Sequence, residues 1–282
     1  MIFLNGFSLP TGGLIDNYEY PTAYPFGVFE HMDFDFIKFN KVTVFYGGNG
    51  SGKSTVLRLI ADKCGLNHNT VIDQTEHYKV FLNLCNISYD DEAGSDMPPI
   101  GSKIITSEDI MDHILQLRVL NSNIGKMRDV NEAEYWSKKY EVNTLNSLEE
   151  FAEFKKRNRI KRMSKTKYVN ETGGVRKQEH SNGENVMMYF EDEFEYGKVY
   201  LLDEPEVSLS PKYQVALAEK IKEMCRYFDC QFIIATHSPF ILGIEDAVIY
   251  NMDEYPVDIC RLEELESIRL YYDFFKKLDG RL

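Results

Sequence analysis

The feature that most constrains this chain is a glycine-rich motif, Gly47-Gly48-Asn49-Gly50-Ser51-Gly52-Lys53-Ser54-Thr55, which we call the phosphate loop. It matches the G-x-x-x-x-G-K-[ST] pattern at every fixed position. Residues 42–46 before it are β-branched and aromatic, which predicts a buried strand. Residues 53–64 carry apolar side chains at helical spacing, and Gly65 is a typical helix stop. The motif therefore lies between a strand and the first turn of a helix.

This placement predicts phosphate chemistry. Glycines allow several backbone N–H groups to point at one anion, and the helix N-terminus adds partial positive charge. Lys53 can reach the β- and γ-phosphates of a nucleotide, and the Ser54 hydroxyl can ligate Mg²⁺. The alternative, a glycine-rich turn that happens to precede a lysine, is disfavoured by the complete spacing. The expected nucleotide-binding residues are Gly47, Asn49, Gly50, Ser51, Gly52, Lys53, Ser54 and Thr55.

A second constellation follows an apolar run at residues 199–202. This run predicts a buried strand that ends at Asp203 and Glu204, since Pro205 cannot continue a strand ladder. In the usual division of a Walker B pair, Asp203 holds Mg²⁺ through water and Glu204 polarises the attacking water. An acidic turn cap is the alternative, and the presence of the phosphate loop favours the functional interpretation.

His237 follows another apolar run, residues 232–235, which predicts a strand parallel to the one ending at Asp203. Ligand-binding groups of open α/β sheets converge at the carboxyl ends of the strands. We therefore expect His237 to lie near the phosphates, where it can donate a hydrogen bond to the γ-phosphate.

A third motif, His180-Ser181-Asn182-Gly183-Glu184, opens a partly apolar helix and forms a second anion-binding N-terminus. With it, the sequence resembles the ABC class of ATPases, whose signature helix starts Ser-x-Gly-Gln/Glu and precedes the Walker B strand. In that class the signature caps the γ-phosphate held by a second subunit. The resemblance thus implies that Ser181, Gly183 and Glu184 contact ATP bound to the partner of a homodimer.

The chain is most similar to the SMC, RecF and overcoming-lysogenization-defect branch of that class. Residues 201–211 resemble its L-L-D-E-P-E-x-x-L-x-P run, and residues 235–239 resemble its switch-histidine segment. The resemblance covers about residues 28–64 and 178–252, and leaves 86–177 unexplained. It implies an α/β P-loop NTPase fold with an ABC-type head: a mostly parallel central sheet, N-terminal antiparallel strands and a helical insertion.

The resemblance has departures. His180 replaces the usual apolar residue before the signature serine, and Ser210 stands where transporters usually carry aspartate. A Q-loop is not evident, since the candidates Gln74 and Gln116 lack clear context. Aromatic residues that could stack on adenine have core packing as their commoner fate; these are Tyr20, Tyr24 and Phe26.

The predicted organisation has three parts: residues 1–85 and 178–282 form the ATPase core, and 86–177 form a mainly helical insertion. The N-terminal part is expected to be β-rich, with short aromatic runs at 26–29 and 34–37. The apolar run at 80–87 is expected to form another strand.

Residues 155–177, the basic segment, carry ten Lys or Arg residues against one acid, Glu171, in a chain of net charge −13. Three interpretations remain open: a solvated helix face, a patch for nucleic acid or an acidic partner, and charges that reach the ATP phosphates. The overall charge opposes non-specific attraction to nucleic acid by the whole molecule, but it does not exclude a local patch.

The composition excludes several other classes. The sequence contains no run of 18 apolar residues, so no membrane span is expected. The first residues lack the basic and apolar regions of a secretory signal. The five cysteines are scattered without a C-x-x-C pair, which favours buried thiols over zinc or disulfides. We therefore expect a cytoplasmic protein without a membrane partner.

Three functions remain in competition. The first is an ATPase that uses ATP and Mg²⁺, dimerises around ATP and drives a conformational switch; the branch resemblance implies DNA maintenance or anti-phage defence with a nuclease or other effector partner. The second is the nucleotide-binding subunit of a membrane transporter, disfavoured by the unusual signature and the long insertion. The third is a switch that binds ATP but scarcely hydrolyses it, disfavoured by Glu204.

Overall fold

The computed structural model describes residues 2–10, 18–29, 32, 36–66, 75–90, 97–140, 155, 159, 162–173 and 181–278. The chain forms two compact units: residues 1–111 together with 182–282 make the first unit, and residues 112–181 make the second. The chain therefore leaves the first unit and returns to it.

The described strands and helices follow one another along both units. The strands are β1 (Leu4–Ser8), β2 (Phe36–Lys38), β3 (Val42–Tyr46), β4 (Asn86–Tyr89), β5 (Lys103–Thr106), β6 (Val199–Asp203), β7 (Gln231–Ala235), β8 (Val248–Asn251) and β9 (Asp258–Cys260). The helices are α1 (Phe26–Phe29), α2 (Lys53–Lys63), α3 (Glu76–Leu84), α4 (Ser107–Tyr140), α5 (Lys165–Gly173), α6 (Asn182–Glu193), α7 (Pro211–Tyr227), α8 (Pro239–Leu242) and α9 (Glu266–Leu278), with a 3₁₀ turn at Leu262–Glu264.

The first unit is built on a six-stranded sheet with the order β5-β6-β7-β3-β8-β9. Five strands are parallel, and β9 pairs with β8 in the antiparallel sense. Every residue of β3, β6 and β7 is buried, as expected for inner strands of a parallel sheet covered on both faces. The predicted mostly parallel α/β sheet is confirmed.

The register aligns the carboxyl ends of the three inner strands. Asp203 of β6 lies opposite Ala235 of β7, and Ala235 lies opposite Phe45 of β3. The residues that follow these strands therefore emerge side by side at one edge of the sheet. This register also confirms that the strand before His237 is parallel to the strand that ends at Asp203.

A second, antiparallel sheet of order β2-β1-β4 completes the first unit. The buried Gln231 side chain connects it to the central sheet. Its Oε1 accepts hydrogen bonds from the N–H groups of Phe3 and Leu4, and its Nε2 donates to the carbonyls of Leu4 and Asn40. One hydrophobic core joins both sheets to α2, including Leu4, Phe7, Val56, Leu57, Leu201 and Ile233.

The second unit is helical in its described part, where it contains α4 from Asp112 onward and α5. Its small core joins Tyr135 of α4 to Tyr168 and Val169 of α5, with Met163 packed against them. The Tyr135 hydroxyl donates a hydrogen bond to the Met163 carbonyl at 2.9 Å. These contacts hold the two helices together.

Two strand predictions were wrong. Residues 26–29 form helix α1, and the apolar run at 80–87 divides between α3 and β4. The reason is local capping: the Thr75 side chain accepts a hydrogen bond from the Tyr78 N–H, which starts α3, and Tyr78 and Phe81 then fall on one buried face. Residues 34 and 35 of the other aromatic run lie outside the described residues.

The second unit begins at residue 112, whereas the insertion predicted from sequence begins at residue 86. Strands β4 and β5 lie in the two sheets of the first unit and account for the difference. The residues 86–111 thus contribute to the unit that carries the phosphate loop.

Candidate functional site

The phosphate loop connects β3 to α2, as the motif predicts. Gly50 and Gly52 adopt φ values of +85° and +86°, a left-handed conformation that side-chain-bearing residues rarely adopt. A Cβ atom on Gly52 would also come within 2.8 Å of Val28 Cγ1. These positions require glycine, because the loop must turn tightly before α2 begins.

Lys53 is buried at the first turn of α2, with 4% of its surface exposed. Its Nζ donates hydrogen bonds to the carbonyls of Gly47 and Gly48, at 2.7 and 2.9 Å. Burial lowers the pKa of Lys53, and nearby carboxylates, Glu204 first among them, oppose this shift. The ammonium group is therefore held inside the curve of the loop.

The side-chain oxygens of Ser54 and Asp203 lie within hydrogen-bonding distance of each other. The Ser54 hydroxyl donates a hydrogen bond to Asp203 Oδ1 at 2.9 Å. Burial raises the pKa of Asp203 to about 6, with the Ser54 hydrogen bond opposing the shift and the charge of Glu204 adding to it. A divalent cation bound here would relieve the cost of burying this carboxylate.

Glu204 and His237 face each other across neighbouring strand ends. Glu204 Oε1 lies 3.8 Å from His237 Nε2, and the Glu204 N–H donates to the Ala235 carbonyl at 2.8 Å. Glu204 has φ +48°, a conformation that costs a non-glycine residue about 1–3 kcal/mol and that clusters at functional sites. The backbone thus presents this carboxylate at the sheet edge at some cost in stability.

Glu206 is a contact residue that sequence reasoning did not identify as part of the site. Its Oε1 accepts hydrogen bonds from the N–H groups of His237 and Ser238, at 2.7 and 3.1 Å. It therefore joins the segment after β6 to the segment after β7.

Asp253 is a second residue that the sequence-based prediction missed. Its Oδ1 accepts a hydrogen bond from the Gly48 N–H at 2.6 Å, so it contacts the first half of the phosphate loop. Only its position shortly after the apolar run of β8 marked it in the sequence, and many acids follow strands.

The predicted signature residues lie at the start of α6. Gly183 is buried in the first turn, and Ser181 immediately precedes the helix. The boundary between the two units falls between Ser181 and Asn182, so Gly183 and Glu184 belong to the first unit with the phosphate loop. His180 lies outside the described residues.

The aromatic candidates for adenine stacking have different environments. Phe26 is fully buried and stacks on Tyr18 at 3.9 Å between ring centroids, so it is a core residue. Tyr24 is 41% exposed, and its hydroxyl contacts Thr55 Oγ1 at 3.4 Å. Tyr20 is 52% exposed. Stacking by Tyr20 or Tyr24 stays a prediction.

The Q-loop candidates are not brought to this site by any described contact. Gln116 is exposed on α4 within the second unit, and Gln74 lies outside the described residues. No Q-loop is therefore assigned within the described part of the chain.

The residues present fit ATP and Mg²⁺. Three buried polar atoms of this site make no hydrogen bond within the described residues: Ser51 Oγ, Glu206 Oε2 and His237 Nε2. Buried polar groups usually have partners, so their presence together indicates a polar ligand. Mg²⁺ needs only one or two protein oxygens when phosphate and water supply the rest, and Ser54 with Asp203 meets that need.

One protein-family model matches part of the chain. The AAA ATPase domain family matches residues 185–242, which contain the Asp203–Glu204 pair and His237. The phosphate loop lies beside them in the folded sheet. The chain therefore contains an ATPase domain that is similar to this family.

Solved structures give weaker similarities to this ATPase. The Smc head domain of Pyrococcus furiosus, solved with the C-terminal domain of ScpA, is 14% identical at a TM-score of 0.45, covering 97% of this chain and 100% of that one. The SMC head domain of Thermotoga maritima is 15% identical at 0.41, covering 92% and 98%. A dimeric ATP-binding cassette bound to ADP and Pi is 14% identical at 0.37, covering 93% and 99%. Because these TM-scores are below 0.5, the assignment of an ATPase domain rests on the motifs, their geometry and the family match.

No curated protein matches the sequence significantly. Among the described residues, no helix has the length and apolar character needed to cross a membrane.

Proposed function

We propose that this ATPase hydrolyses ATP at sites completed by a second copy of the chain. The observation that carries the proposal is the convergence of Lys53, Ser54, Asp203, Glu204 and His237 at the ends of three adjacent parallel strands. Each supplies a different part of phosphoryl transfer to water, and their arrangement follows directly from the sheet register.

The proposed roles follow from the chemistry of each group. Lys53 and the loop N–H groups bind the phosphates and offset their charge. Glu204 orients the attacking water and accepts its proton, and His237 donates a hydrogen bond to the γ-phosphate. Ser54 and Asp203 would hold Mg²⁺, which supplies further positive charge to the phosphates when bound.

The partner copy would contribute Ser181, Gly183 and Glu184. Helix α6 has twelve residues, and the partial positive charge at its N-terminus suits an anion. In ABC-class ATPases this segment serves the nucleotide of the other subunit, so the proposed dimer is isologous about a two-fold axis. Loss of the γ-phosphate would remove the shared ligand and release the dimer.

The Glu204→Gln variant tests this proposal. The amide cannot accept the proton from water, so we expect turnover to fall by about 10²-fold or more while ATP stays bound. Gel filtration with Mg·ATP should show a dimer for this variant and a monomer for the Lys53→Ala/Glu204→Gln double variant, which loses the phosphate contact.

Two further results would decide between dimer and monomer. Adding Ser181→Glu to Glu204→Gln places a negative charge at an exposed position at the start of the signature helix and should return the protein to a monomer. A Glu204→Gln protein that binds ATP and stays monomeric would contradict the proposed dimer, although it would leave nucleotide binding intact.

We further propose that the second unit delivers the output of this cycle to nucleic acid in DNA maintenance or anti-phage defence, together with a nuclease or other effector. The support is the branch resemblance and the basic segment. Five of its basic residues are described. Among them, Arg159 pairs with Glu171 at 3.9 Å, and Lys165 pairs with Glu132 at 2.8 Å. The positions of Lys156, Arg157, Lys161, Arg176 and Lys177 lie outside the described residues.

A further inference from the structure

The loop after β7, residues 236–239, carries His237 and is anchored by an acid from a different strand end. Glu206 follows β6, yet its Oε1 accepts the N–H groups of two successive residues of this loop, His237 at 2.7 Å and Ser238 at 3.1 Å. Hydrogen bonds to an ionised carboxylate are shorter and stronger than those between neutral groups. Glu206 thus fixes the backbone that aims the His237 ring.

The backbone around Glu206 is itself held in a compact turn. The Val207 N–H donates to the Glu204 carbonyl at 3.1 Å, and the Leu209 N–H donates to the Glu206 carbonyl at 2.9 Å. Glu206 therefore relates the His237 loop to the same turn that presents Glu204. A shift of one group relative to the other would have to break these contacts.

The Nε2 atom of the His237 ring is held in place but is not used in a structural hydrogen bond among the described residues. This atom is buried and lies 3.8 Å from Glu204 Oε1. The second oxygen of Glu206, Oε2, is also buried and without a hydrogen bond there. A purely structural tether would satisfy both oxygens, because buried carboxylates are costly to leave partly unpaired.

We propose that Glu206 is a positioning residue for hydrolysis, acting through His237. It holds the backbone of residues 237 and 238 so that the ring lies beside Glu204 and faces the γ-phosphate. This inference rests on the proposed role of His237, and it adds the residue that determines where that ring lies.

The loop has a second anchor that serves as a matched control. The Ser238 hydroxyl donates to Gln214 Oε1 at 2.8 Å, and the Gln214 side chain also donates to the Leu209 carbonyl at 3.0 Å. Gln214→Ala therefore removes a loop contact of similar length without touching the His237 N–H. If any loss of loop anchoring lowered turnover, Glu206→Ala and Gln214→Ala would lower it alike. If the position of His237 matters, only Glu206→Ala should lower it.

The test is a double-mutant cycle on steady-state ATP turnover. We expect Glu206→Ala to lower kcat by about 10- to 100-fold with KM for ATP changed less than about threefold, since displacement of a catalytic group by about 1 Å costs on this order. Adding His237→Ala to Glu206→Ala should then lower kcat by less than about threefold further. Glu206→Gln keeps an oxygen that accepts both N–H groups and should recover most of kcat, and Gln214→Ala should stay near wild type.

Each possible result has a definite meaning. Additive losses from Glu206→Ala and His237→Ala, or equal losses from Glu206→Ala and Gln214→Ala, would overturn the positioning role. If His237→Ala alone leaves kcat unchanged, the proposed function of His237 fails instead. Should Glu206→Ala not fold, as judged by circular dichroism, Glu206→Asp replaces it: the shortened acid cannot reach both N–H groups and should show the same loss of kcat and the same coupling.

Discussion

Burial of the Asp203 carboxylate lowers the stability of the folded protein at neutral pH. The residue is 7% exposed, and burial raises the pKa of its carboxyl group to about 6 from an ordinary value near 3.8. The folded protein thus keeps this proton to a higher pH than the unfolded chain does. Protonated Asp203 therefore contributes to the free energy of unfolding. This contribution is fully present below about pH 4 and is lost as the pH rises through 6.

This sign leads to a prediction for Asp203→Asn. The amide can still accept the Ser54 hydrogen bond but carries no charge, so the nucleotide-free variant should be more stable than wild type by about 1–3 kcal/mol at pH 8. The gain should vanish near pH 4, and ATP turnover should be lost at every pH. Urea unfolding at both pH values measures the effect, with Asp273→Asn on the exposed face of α9 as the control. A variant less stable than wild type at pH 8 would contradict the burial argument.

Between elements, the contact of α6 with α7 constrains the signature helix. A Cβ atom on Gly183 would lie 2.4 Å from Tyr213 Cδ2 and 2.8 Å from Cε2, closer than real contacts allow. The glycine therefore lets the first turn of α6 approach the aromatic ring that begins α7. The position of the signature residues is set by this approach.

Gly183→Ala tests the contact. Alanine favours a helix over glycine by about 1 kcal/mol, but overpacking against the ring costs about 1–3 kcal/mol, so we expect net destabilisation. In a Tyr213→Leu background the same substitution should be neutral or stabilising, because the ring is gone. Urea unfolding of the four proteins gives the coupling. The same destabilisation in both backgrounds would show that the ring is not the obstacle.

At the scale of elements, the sequence predicted much of the site and misjudged some of the fold. The phosphate loop, β6 and β7 were predictable, because the apolar runs at 42–46, 199–202 and 232–235 are bounded by polar motifs. The run at 26–29 was not, since four residues are too few for periodicity to distinguish a helix from a strand.

Contacts between distant residues were beyond sequence patterns. Asp253 meets Gly48 from 205 positions away, and Glu206 meets His237 from 31 positions away. Neither spacing corresponds to a turn, a helix face or a strand pair. Such contacts exist only because the sheet order brings the strand ends together, and that order is a property of the folded chain.

For the whole molecule, the distribution of charge decides how it would meet nucleic acid. A net charge of −13 repels a polyanion, so any binding must depend on a local cluster such as the basic segment. Arg162 and Lys167 are exposed there in the second unit. Contacts of this kind release counterions and are therefore sensitive to salt.

We predict that double-stranded DNA raises the ATP turnover of the full chain, and that the stimulation falls steeply between about 50 and 200 mM salt. Arg162→Glu/Lys167→Glu should abolish the stimulation and leave basal turnover unchanged. Lys276→Glu/Lys277→Glu on α9 changes the net charge equally and should retain it. Stimulation that survives the first pair, or that both pairs abolish alike, would show that the basic segment is not the binding surface.

The order of strands in the central sheet has a consequence for biosynthesis. β3 lies between β7 and β8, and both neighbours are synthesised roughly two hundred residues after it. In a nascent chain that has emerged only as far as α5, the phosphate loop therefore follows a strand, β3, whose two neighbouring strands have not yet been synthesised. Nucleotide binding should therefore begin only after β8 has emerged from the ribosome, because β3 and its loop are not held in place before then.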